Sequence, residues 1–139
     1  MSEIEARAYG PDCTPEELAA IRGRVDIWRD RIVLYRELEV ITDFSIGICY
    51  DRVAELVGEG AQFLIIDVRN VGRPDAQMRK TIQTRIRQLE GRLRHVALVM
   101  DTNPFILVAA RFLQSALAVP FTIHATYEEA EEKLRSAYD

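Results

Sequence analysis

Two apolar runs constrain this chain more than anything else in it. Phe63-Leu64-Ile65-Ile66 and Val96-Ala97-Leu98-Val99-Met100 contain no alternating polar residue, the pattern of strands covered on both faces. Between them lie the loop Arg69-Asn70-Val71-Gly72-Arg73-Pro74 and a basic segment in which Met78, Ile82, Ile86, Leu89 and Leu93 recur every three or four residues. That spacing predicts one helix whose apolar stripe faces a core. A buried strand, a short loop, a helix and a second buried strand together favour parallel pairing through a right-handed crossover, hence a layered α/β domain.

The flanking sequence extends the same plan. Thr14-Pro15-Glu16-Glu17 offers a hydroxyl cap, a proline at the first helical position and a capping glutamate; Gly23 closes this short helix, which reads as an appendage after a loosely ordered acidic start. From Arg24 the period falls to two, and the runs around Val25 and Ile27 and over residues 32–38 predict an antiparallel hairpin. Thr42-Asp43 caps a helix with Ile46, Cys49, Val53 and Leu56 on one face, stopped by Gly58 and Gly60. After the second buried strand, Asp101-Thr102-Asn103-Pro104 caps another helix, and Phe105, Val108, Ala109, Phe112 and Leu113 form its expected core stripe. Phe121-Thr122-Ile123-His124 is a last strand, and Thr126-Tyr127-Glu128-Glu129 reads as a capping box opening the final helix. The expectation is residues 1–23 as an extension with a short helix and residues 24–139 as one α/β domain with a mixed sheet of about five strands.

Charge is unevenly placed. Residues 69–94 hold eight Lys/Arg against Asp75 and Glu90, a local +6 in a chain of net −4, so the rest carries −10. Such a dipolar chain suits an acidic protein partner or self-association, whereas the negative total and the lack of aromatics among these arginines speak against nucleic acid. Cys13 and Cys49 make no disulfide framework or metal cluster. The start lacks a basic-then-apolar signal, and no apolar run approaches the roughly 18 residues that span a bilayer. A cytoplasmic protein without membrane insertion is expected.

The pattern over residues 24–134 resembles the STAS domain family (sulfate transporter and anti-sigma-factor antagonist), in its divergent SpoIIAA-like and SEC14-like branch. The likeness rests on the opening hairpin, the strand AQFLIIDV with its loop and helix, the strand HVALVMD, and the ending PFTIHATYEEAEEKL. The resemblance implies a bacterial signalling domain that regulates by docking on a protein, such as a regulatory kinase or another component of a sigma-factor pathway. It also implies a phosphoacceptor hydroxyl at the start of the helix after AQFLIIDV. Here the matching stretch is Asp75-Ala76-Gln77-Met78, with Gln77 at the acceptor position. An amide cannot take a phosphate, so the family's usual switch is not expected.

The expected partner-binding residues are therefore Arg69, Asn70, Arg73, Asp75, Gln77, Arg79 and Lys80, with no catalytic residue, metal or cofactor. An exposed hairpin edge and the dipolar charge make a homodimer a further expectation. Two alternatives compete. Arg69, Arg73 and the following helix start could bind an anion or nucleotide phosphate, or an apolar cavity could carry a small ligand. The sharpest enzymatic alternative pairs Asp67 and Asp101, each at the end of a buried strand, around Mg²⁺ for phosphoryl transfer; no Gly-rich phosphate loop or strand-end lysine accompanies them. His95 and His124 have no nucleophile beside them in sequence.

Overall fold

Local chemistry places most of the elements. In the computed structural model, which describes residues 5–72, 75–101 and 103–138, the order is α1 (Pro15–Arg22), β1 (Val25–Arg29), β2 (Ile32–Arg36), α2 (Asp43–Gly58), β3 (Phe63–Asp67), α3 (Ala76–Arg87), β4 (His95–Val99), α4 (Pro104–Ala116), β5 (Phe121–His124) and α5 (Tyr127–Tyr138). Thr14 and Glu17 close a full capping box at α1, and Thr42 with Ser45 does the same at α2. The Asp75 and Asn103 side chains accept N–H groups at the starts of α3 and α4. At α5 the expected box is half-formed: Thr126 Oγ1 accepts the Glu129 N–H at 3.1 Å, but the Glu129 carboxylate takes the Ala125 N–H instead, at 3.1 Å. The hairpin turns at Asp30, a non-glycine residue at φ 48°, with a bulge between Ile27 and Arg29.

The five strands lie in sequence order, β1-β2-β3-β4-β5, with β1 antiparallel to β2 and every other pair parallel. This is the expected α/β architecture with a mixed sheet. Successive parallel neighbours joined by crossovers of one hand place their helices on one face. The core divides accordingly. Val33, Tyr35, Leu64, Ile66, Val96, Leu98 and Phe121 pack with residues of α1 to α4, while Ile32, Phe63, Ile65, Ala97 and Val99 pack with Ala130 and Leu134 of α5. Ile65 and the whole of β4 are therefore covered from both sides.

Three expectations need correction. α1 is no appendage: Ile21 is fully buried, and Tyr9 before it joins the same core, its carbonyl accepting the Thr42 hydroxyl at 2.7 Å. α3 ends at Arg87, short of the stripe read from the sequence; Leu89 and Leu93 are buried, but from the turn that follows, where the Leu93 N–H bonds to the Leu89 carbonyl at 2.9 Å. The core stripe of α4 is Ile106, Ala109, Ala110 and Leu113, whereas Phe105, Val108 and Phe112 lie outside.

Candidate functional site

The C-terminal ends of β3 and β4 are where an open α/β sheet would bind a ligand, in the crevice made when strand order reverses. Here β2 to β5 run in one unbroken order. The order has no reversal there, and among the described residues the carboxylate at the β3 end is engaged by its neighbours. Asp67 accepts both Arg69 Nε and Nη2 at 3.0 Å and the Arg69 backbone N–H at 3.0 Å, and the Tyr127 hydroxyl donates to its other oxygen. The Arg69 guanidinium also lies 4.8 Å from the Tyr127 ring centre. Despite partial burial, the hydrogen bonds from Arg69 and Tyr127 hold the Asp67 carboxyl below its ordinary pKa, and its pairing raises that of Arg69. Asp67 thus ties the β3 end to α5 and fixes the start of the loop. Asp101 lies exposed beyond β4, and no group of three or more metal-ligating His, Cys, Asp or Glu side chains forms among the described residues.

The expected partner-binding residues divide. Arg69 is committed to Asp67, and Arg73 lies outside the described residues. Asn70 is exposed in a turn. The Asp75 carboxylate accepts the Met78 N–H at 2.8 Å and so works as the α3 cap. Gln77 is exposed on the first turn. Arg79 and Lys80, one turn on, line a groove of about 350 Å³ whose other walls are Ala76 and, from α4, Phe105, Val108 and Phe112. The structure therefore joins the basic start of α3 to an apolar surface that sequence reasoning had assigned to the core.

That surface is a second apolar stripe. At about 100° per residue, Phe105, Val108 and Phe112 fall within an arc of about 60°, and they are 58 %, 70 % and 49 % exposed. Ala109 borders the stripe on the α3 side, where the Arg87 guanidinium reaches the Ala116 carbonyl at 3.1 Å. Exposed Arg111 borders it on the other. The signal available in sequence was that α4 carries only Arg111, Gln114 and Ser115 as polar residues after its proline, so it is apolar around most of its circumference.

Behind α4, against the sheet, a cavity of about 60 Å³ is lined by Ile82 and Ile86 of α3, Ile106 and Ala110 of α4, Tyr50 and Glu37. Glu37 is 8 % exposed; the Tyr35 hydroxyl and the Leu38 N–H, the latter at 2.9 Å, donate to it, and burial raises its pKa. Neither this carboxyl nor its tyrosine partner was singled out in the sequence. Cys49 is buried nearby in the same core, its thiol pushed up to about 12 by burial, which makes it a poor nucleophile at neutral pH.

On the opposite face, His95 and His124 meet through Thr122. His95 Nε2 lies 2.8 Å and His124 Nε2 2.7 Å from Thr122 Oγ1, and His95 Nδ1 lies 3.0 Å from the Tyr138 hydroxyl, which bonds to the Arg94 carbonyl at 3.1 Å. With the tyrosine donating to the carbonyl, one assignment satisfies every group: His124 donates to Thr122, Thr122 to His95, and His95 to Tyr138. His95, accepting through Nε2, is then neutral. Burial, with Lys133 and the other histidine adding to it, lowers His95 to about 4, and burial also lowers His124. Among the described residues no carboxylate is hydrogen-bonded to either ring, and the hydrogen-bond chain ends on the Arg94 carbonyl, so it ties α5 to β4 and β5.

No helix among the described residues is long and apolar enough to cross a membrane. No protein-family model matches the chain, and no curated protein matches its sequence.

Proposed function

We propose that this chain is a non-enzymatic, STAS-like regulatory domain that binds a protein partner at the surface formed by the start of α3 and the outer face of α4. One observation carries the reading: α4 has two apolar stripes, and one of them faces solvent beside Arg79 and Lys80. A helix apolar around most of its circumference belongs in an interior, so the outer stripe has the composition of a surface that a partner covers. The engagement of Asp67 by Arg69 and Tyr127 supports a structural role for this carboxylate over a metal-binding one. The absence of a hydroxyl at Gln77 leaves the binding surface without the family's phosphate switch.

A photo-crosslinking residue placed at position 108 in the native cell tests this, with the same residue at exposed position 132 on α5 as control. Adducts to protein from 108 and none from 132 support the reading; the reverse pattern refutes it. A second reading, carriage of a small apolar ligand, is favoured by the Glu37 cavity, but about 60 Å³ holds only a few atoms unless α3 and α4 part. Thermal stabilisation by a small apolar alcohol that is lost in Glu37→Gln would favour it.

A further inference from the structure

Resting on that reading, we infer that the occupant of the α3–α4 groove is an acidic amphipathic helix from a different protein. The shape argument comes from the stripe itself. Phe105, Val108 and Phe112 repeat at three and four residues over two turns of a straight ridge, with the groove to α3 alongside. An apolar ridge and groove of this length matches a helix presenting its own apolar residues at i, i+3 or i+4 and i+7. The charge argument comes from the flanks. Lys80 stands on the α3 side of the stripe and exposed Arg111 on the other, so an incoming helix meets a cation along each edge. Carboxylates flanking its apolar stripe pair with these two, and lysines there are repelled.

The same charges argue against a second copy. Two-fold docking of α4 on α4 brings Lys80 and Arg111 of one chain towards those of the other. The acidic helices within the chain also offer no apolar stripe: Ile21 of α1 and Ala130 and Leu134 of α5 are already buried, and Glu131 of α5 is paired with Arg29 and Arg135.

Sequencing the peptide crosslinked at position 108, and then synthesising it, tests the inference. The expected peptide is acidic, gains helicity on binding, and binds at least tenfold more weakly to the Lys80→Glu/Arg111→Glu double variant, whose core is untouched. Replacing its flanking acids by lysine should restore binding to that variant and abolish binding to the native chain. A captured protein segment that is neutral, basic or bound in extended form overturns the acidic-helix inference while leaving the docking surface standing. Crosslinks only to this chain's own peptides, only to lipid, or to nothing overturn both.

Discussion

Phe105 and Ile106 are adjacent in sequence and lie on different faces of α4: Ile106 is 6 % exposed and lines the cavity against the sheet, and Phe105 is 58 % exposed and lines the outer groove. A rotation of about 100° between them separates what folds the domain from what the domain presents. The consequences for stability and binding are therefore separable by substitution.

On the outer stripe, Val108→Ser should change the unfolding free energy by less than about 0.5 kcal/mol, as surface substitutions do. Ile106→Ala, one face inward, should cost about 2–5 kcal/mol. Urea denaturation of the two variants measures the contrast. Equal losses would place both stripes in the interior.

At the sheet centre, Ile65 is fully buried between the two helical layers. Ile65→Asp puts a carboxylate there with no arranged partner, a loss of more than about 4 kcal/mol that should remove cooperative unfolding. Far-UV and near-UV circular dichroism report it. Near-native unfolding would contradict the burial of β3.

Asp67 is depressed below its usual carboxyl range by Arg69 and Tyr127. Its contribution to stability is thus present above the unfolded-state pKa and is lost as pH falls through the lower folded-state value. Asp67→Asn should lower stability at neutral pH by about 1–3 kcal/mol and flatten this acid limb, while leaving binding at α4 intact. A stability-against-pH series on both proteins shows whether that limb belongs to Asp67.

His95 shifts in the opposite chemical sense, from 6.5 to about 4, because its neutral form is the one the buried network accepts. The unfolded chain takes up a proton near pH 6.5 that the folded chain refuses. Stability should therefore be greatest above pH 6.5 and fall on the order of 2–3 kcal/mol towards pH 4. Titration followed by NMR of the imidazole carbons checks this. A His95 midpoint near 6.5 would show that the ring is not held as a neutral link to Tyr138 and Thr122.

The sequence by itself determined the order of the elements, the caps that start α1, α2 and α4, and the two strands buried on both faces. These depend on neighbours within a few residues: Thr14 with Glu17, Asn103 with Phe105, and an apolar run too uniform to have a wet side. What a four-residue horizon cannot see, only the tertiary structure decided. Asp67 meets Tyr127 across sixty positions, and His95 meets Thr122 and Tyr138 because β4 pairs with β5 and α5 folds back beneath them. The two stripes of α4 satisfy the same helical period, so spacing could not choose between them. The choice was made by what lies on each side: Ile106, Ala110 and Leu113 pack with the sheet and the other helices in one core, which leaves Phe105, Val108 and Phe112 to the outside.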